Sequence, residues 1–181
     1  MRNAFAKEVT RLAKRSSKLV LLSGDIGNRL FDDYKAIPNS NFINCGIAEA
    51  NMMGVAAGLA MSKLKPIIYT ITPFTTTRCL EQIRVDACYH DVPVIIVGTG
   101  SGLSYASLGP THHSLEDFAI FRAIPNITIL APSDEVELKK CLNEALKLDS
   151  PVYMRIGKKG EEITTDKSLK LKIGKSVTHK K

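Results

Sequence analysis

Cys45-Gly46-Ile47-Ala48-Glu49-Ala50-Asn51-Met52-Met53-Gly54-Val55-Ala56-Ala57-Gly58-Leu59-Ala60 is the stretch that decides how this chain folds. A strand end runs into a glycine turn and then into a segment apolar on nearly every face. That is the pattern of a helix buried at the centre of a domain or at a subunit interface. Glu49 is its only charge. Burial opposes the ionised form of a carboxyl more strongly than a helix N-terminus favours it, so the segment predicts a carboxyl able to share a proton near neutral pH. The alternative is a capping box, with Gly46 as N-cap and Glu49 at the third helical position folding back on it. The segment alone leaves both open.

Outward from this helix, short apolar runs alternate with helical patterns. Leu19 to Ser23, Phe42 to Cys45, Pro66 to Ile71, Pro93 to Val97, Ile127 to Leu130 and Val152 to Ile156 read as strands. Their near-continuous Val, Ile and Leu content suits strands covered on both faces. Asn3 to Lys14 carries Phe5, Val9 and Leu12 at helical spacing. Thr75 to Tyr89 reads as one helix with Leu80, Ile83 and Cys88 inward and Arg78, Glu81 and Arg84 partly exposed. Leu115 to Phe121 reads as a short helix, and Ser133 as the N-cap of the next, whose apolar face is Leu138, Cys141, Leu142, Ala145 and Leu146. The alternation predicts an α/β fold, a three-layer sandwich with a mostly parallel sheet of about six strands and helices on both faces.

At 181 residues with 44% apolar content, one domain over 1–160 builds a core without disulfide or metal staples. The longest apolar run is broken by Glu49 and Asn51, so none reaches a membrane-spanning length, and the charged N-terminus does not read as a secretory signal. Cys45, Cys79, Cys88 and Cys141 show no CxxC spacing, which fits reduced thiols in a cytoplasm. The net charge of +7 is concentrated at one end. Between Ile163 and Lys181, six lysines (Lys167, Lys170, Lys172, Lys175, Lys180, Lys181) face only Asp166, giving 6 − 1 = +5. A basic tail over 161–181 on a nearly neutral domain reads as solvated linker rather than as a nucleic-acid surface.

Four places could carry chemistry. Asp25 follows the first strand, where open α/β sheets put ligands, although a turn residue is the commoner role. Gly98-Thr99-Gly100-Ser101-Gly102 resembles a dinucleotide loop but misses the GxGxxG spacing and has no helix directly after it. Within the long loop Gly98 to Ser114, His112 and His113 point to opposite sides of an extended chain and have no third ligand nearby. They suit proton transfer or substrate hydrogen bonds better than a metal. Phe74 alone reads as core.

Taken together, Asp25-Ile26-Gly27, Gly46-Ile47-Ala48-Glu49-Ala50, Phe74, Gly109-Pro110-Thr111-His112-His113 and Ala131-Pro132-Ser133-Asp134 resemble, over about residues 4 to 158, the pyrimidine-binding domain of the transketolase family. That family includes deoxyxylulose-phosphate synthases and 2-oxoacid dehydrogenase beta subunits. The resemblance implies thiamine diphosphate, with Glu49 bonding the ring nitrogen of the aminopyrimidine. A shared proton there favours the imino tautomer, whose neighbouring nitrogen deprotonates the thiazolium carbon to give the nucleophile. It further implies Phe74 stacking on the pyrimidine, Asp25 as a supporting cofactor contact, His112 and His113 toward substrate, and Arg155 and Lys158 toward a sugar phosphate.

Two departures qualify the match. Leu108 stands where many sugar-using relatives carry an acid, which leaves the donor sugar open. The Gly-Asp-Gly and Asn ligand set for magnesium and diphosphate is absent from the sequence. The resemblance therefore implies half of an active site in a two-carbon ketol transferase. Mg2+ would be held by a partner chain, a diphosphate-binding N-terminal section subunit, with this chain as a homodimer within a heterotetramer. The ending at Lys181 implies that a third, C-terminal domain is missing. Rival readings are a deoxyxylulose-phosphate synthase fragment, a 2-oxoacid dehydrogenase beta-type subunit, a catalytically silent assembly partner, and a nucleotide-binding module using Gly98 to Gly102. The tandem histidines argue against the dehydrogenase.

Overall fold

The computed structural model describes residues 1–175; Lys180 and Lys181 of the basic tail lie outside the described residues. Six strands, β1 (Leu19–Ser23), β2 (Phe42–Asn44), β3 (Lys65–Ile71), β4 (Ile95–Thr99), β5 (Thr128–Leu130) and β6 (Val152–Ile156), form one sheet in the order β2-β1-β3-β4-β6-β5. Every neighbouring pair is parallel. The helices are α1 (Arg2–Ala13), α2 (Asp32–Lys35), α3 (Glu49–Met61), α4 (Thr72–Thr75), α5 (Leu80–Gln82), α6 (Asp117–Arg122) and α7 (Glu135–Ala145).

Side chains alternate across the strands and so divide the core in two. On one face, α1, α2 and α7 cover Leu19, Leu21, Ile67, Tyr69, Ile95, Val97, Val152 and Met154. Phe5 of α1 stacks on Tyr69 there, with ring centroids 5.3 Å apart. On the other face, α3, α6 and the segment after α5 cover Val20, Leu22, Ile68, Ile96 and Tyr153. Central strands β1 and β4 are buried at every position, whereas β2, at the sheet edge, is not. This is the layering the apolar runs predict.

Several local expectations are corrected. Gly46 is not the N-cap of α3; it sits in a left-handed turn at φ 67° with open space where a Cβ would stand, and Ala48 is the N-cap, so Glu49 opens the helix. No side chain caps this helix, which rules out the capping-box geometry. One side of α3 is open: Ile47 is 79% exposed, and Val55 and Met61 are also exposed. Instead of a single helix from Thr75, the chain winds from Thr72 through α4, a 3-10 turn at Thr77–Cys79, α5 and a π-helical stretch at Ile83–Tyr89. Thr76, at φ −115° and ψ −89°, breaks the winding. At α7 the cap is Asp134 rather than Ser133; its Oδ1 accepts the Val136 and Glu137 amides, both at 2.9 Å.

Residues 161–175 form no helix or strand yet lie against the domain. The Met1 amino group pairs with Glu161. Asp134 Oδ2 accepts the amides of Thr164 at 2.8 Å and Thr165 at 2.6 Å. Leu171 and Ile173 pack on the core.

Candidate functional site

β1 has β2 on one side and β3 on the other, so the chain reverses direction across the sheet at β1/β3. A crevice opens at the carboxyl ends of strands at such a reversal, where open α/β sheets bind ligands. Glu49 is held there. A Cβ placed on Gly24, just past β1, would stand 3.2 Å from both Glu49 Cγ and Thr70 Cβ. The carboxylate is therefore wedged between the ends of the two strands, and it is 2% exposed. Thr70 is fully buried and its hydroxyl has no hydrogen-bond partner among the described residues.

Glu49 is not alone. Arg78, from the 3-10 turn, donates Nη1 to Glu49 Oε2 at 2.9 Å while its side chain stays 42% exposed. The guanidinium carbon lies 3.9 Å from the ring centroid of Phe74. The buried acid thus has a basic partner, which its isolation in an apolar run of sequence did not suggest. On its other side, Phe74 meets the edge of His112, with centroids 5.2 Å apart and planes at 66°. His112 also faces Tyr105 at 5.6 Å, and Lys158 Nζ stands 4.2 Å from the Tyr105 ring centroid. Glu49, Arg78, Phe74, His112, Tyr105 and Lys158 thus form one unbroken chain of contacts. Burial raises the Tyr105 phenol, with Arg2 acting in the opposite direction.

The long loop that carries His112 is shaped rather than loose. Gly102 and Ser114 exchange backbone hydrogen bonds at 2.8 and 3.0 Å and so close its base. Gly102 sits at φ +61°, a conformation that favours glycine. His112 Nδ1 lies 2.9 Å from Thr111 Oγ1. The neighbouring His113 turns away: its Nε2 lies 2.9 Å from the Ala106 carbonyl, tying the loop to itself.

The structure thus brings Glu49, Phe74, His112 and Lys158 together, gives Asp25 and His113 local structural partners, and leaves Arg155 on β6 with Nη2 3.6 Å from where a Cβ of Gly102, at the base of the His112 loop, would stand. Asp25, at φ 54°, accepts Asn44 Nδ2 at 3.0 Å, and Asn44 Oδ1 in turn accepts the Gly46 amide at 3.0 Å, which buttresses the turn before α3. His113 serves its loop. Arg155 lies 3.6 Å from Asp117 and stacks on Phe118. Sequence reading missed Arg78 as a partner, although its place four residues after an aromatic was the available signal. Tyr105 carried no such mark. Among the described residues no three His, Cys, Asp or Glu side chains are grouped as a metal site, and no helix is long and apolar enough to cross a membrane.

Comparison with known proteins gives one family. Residues 1–160 match the model for the transketolase pyrimidine-binding domain. The chain is 34% identical over 158 residues to one of the subunits of an apulose-4-phosphate transketolase from Phocaeicola vulgatus, covering 87% of this chain and 51% of that one. It is 33% identical over 165 residues to a putative transketolase C-terminal section of Methanocaldococcus jannaschii, covering 90% and 52%. Among solved structures, a split-gene transketolase described as an inactive beta4 tetramer superposes with a TM-score of 0.85 at 32% identity, over 96% of this chain and 56% of that chain. The chain spans about half the length of the curated relatives it matches.

Proposed function

The chain belongs to the transketolase pyrimidine-binding domain family, and from that premise we propose that it supplies the pyrimidine side of a thiamine-diphosphate-dependent transferase that moves a two-carbon ketol unit between sugar phosphates. The observation that carries this is Glu49, 2% exposed at the β1/β3 reversal. The residues fit the heterocycle: a buried carboxylate for a ring nitrogen, the Phe74 face for stacking, and the orphaned Thr70 hydroxyl as a further polar partner. They do not fit the diphosphate and its magnesium, which want clustered oxygen ligands. When bound, the cofactor supplies a carbon nucleophile for a substrate carbonyl.

Each of this chain's residues then has one task. Glu49 holds a proton at its carboxylate oxygen against the heterocycle. Phe74 fixes the plane of the ring. His112, with Nδ1 tethered by Thr111, presents its imidazole to the substrate, and Lys158 and Arg155 meet its phosphate. Mg2+ and the diphosphate fall to a second chain, a diphosphate-binding N-terminal section subunit, in an assembly where this chain also pairs with its own copy across the exposed side of α3. The relative described as an inactive beta4 tetramer supports a chain that is silent until that partner joins. Residues 161–175 are docked on the domain through Asp134 and the core rather than hanging free, and four free thiols support a cytoplasmic assembly.

The test is co-expression with a diphosphate-binding N-terminal section subunit. The complex binds thiamine diphosphate and Mg2+ in a calorimetric titration, and the lone chain does not. Glu49→Gln lowers turnover by about 10²- to 10⁴-fold, the range of a lost acid–base group, while the elution volume of the complex stays the same. Undiminished turnover would leave the chain as a scaffold only.

A further inference from the structure

Asp117 is a buried charge that the reaction leaves unused. It is fully buried at the start of α6. Its Oδ2 accepts the Tyr153 hydroxyl at 2.7 Å, and Oδ1 has no hydrogen bond and lies 3.6 Å from Arg155 Nη1. Tyr153 and Arg155 are two residues apart on β6 and so project to the same face of the sheet, the one that α6 covers. Burial, then the neighbouring carboxylate, push the Tyr153 phenol up, so it remains a donor. The Arg155 guanidinium is held on a second side by the Phe118 ring, 4.6 Å away. On a third side a Cβ at Gly102 would stand 3.6 Å from Nη2. The side chain keeps 25% of its surface exposed.

A guanidinium flanked by a carboxylate oxygen on one edge and an aromatic ring on one face has its rotamers narrowed before substrate arrives, which moves part of the ordering cost from binding to folding. A planar fork benefits most, because bidentate recognition of a phosphate depends on its angle. We propose that Asp117, braced by Tyr153, is the positioning residue that sets Arg155 so that its free N–H edge receives the substrate phosphate. This rests on the reading that Arg155 meets that phosphate. A purely structural Asp117, by contrast, would only anchor α6 to β6.

The experiment uses the assembled enzyme, a phosphorylated ketose donor and its unphosphorylated counterpart. Asp117→Asn keeps an acceptor for Tyr153 and removes the charge beside Arg155. KM for the phosphorylated donor rises about tenfold, the scale of one charge-assisted contact, with kcat within about twofold and the unphosphorylated donor unaffected. Inorganic phosphate weakens as a competitive inhibitor by the same factor. Arg155→Ala raises the same KM, and the double variant adds nothing further. If Arg155→Ala raises KM and Asp117→Asn does not, the positioning role is overturned while the phosphate contact stands. An unchanged KM in Arg155→Ala overturns both. Should Asp117→Asn fail to fold, Tyr153→Phe, which removes only the brace, must raise KM selectively for the phosphorylated donor; an unchanged value overturns the proposal.

Discussion

Gly24 leaves only a tight fit for a larger side chain. A methyl group there would sit 3.2 Å from Glu49 Cγ, Thr70 Cβ and Thr70 Oγ1, and β3 behind Thr70 is paired on both sides, so the carboxylate is what moves. Gly24→Ala is expected to cost about 1–3 kcal/mol, the usual range for overpacking, in urea unfolding of the lone chain. A loss below about 0.3 kcal/mol would mean that Glu49 is loosely held. At this scale the sequence was partly legible. Glu49 stood out as one charge in an apolar run, and His112 as an imidazole in a glycine-rich loop. Arg78 did not, because its reach to Glu49 follows from the broken winding at Thr76, where buried threonine hydroxyls turn back onto carbonyls: Thr75 and Thr76 both donate to the Thr72 carbonyl, at 3.1 and 2.8 Å. Tertiary packing of that kind overrides a helical pattern.

Helix α7 is the element whose stability answers most directly to pH. Burial pushes the Asp134 carboxyl up, but the amides of Glu137, Thr165 and Thr164 outweigh it and hold the group well below the usual carboxylate range. A folded-state value below the unfolded one means that the contribution is intact above about pH 4 and is lost as pH falls toward the folded value. Asp134→Ala should cost about 1–2 kcal/mol at neutral pH for the cap alone. It should also flatten the acid limb of stability in urea titrations below about pH 4, and it should speed hydrogen exchange at Thr164 and Thr165, whose amides lose their acceptor. An acid limb as steep as that of the parent chain would show that other carboxylates set it. The start of α7 was legible to within one residue. Ser133 and Asp134 are both good caps, and only the fold, by bringing Thr164 and Thr165 to the second carboxylate oxygen, decides between them.

At the scale of the molecule, alternation of strand and helix dictated the class of sheet but not its strand order, because strands of like composition carry no address. The position of the crevice follows from that order and was out of reach of the sequence. The exposed apolar residues Ile47, Val55 and Met61 lie on or beside the helix that begins with Glu49, so the surface that seeks cover and the residue that does chemistry share one rigid rod. If the reaction centre is a seam, mass action governs it. Specific activity of the complex should fall over a roughly hundredfold dilution and return on adding excess diphosphate-binding subunit, with no change in helical content. Activity of the lone chain with cofactor and no added partner would place the whole reaction within one chain. The enzyme would then be tuned less by the chemistry of its crevice than by supply: a cell that slowed synthesis of either chain would thin out working sites long before any folded protein was damaged.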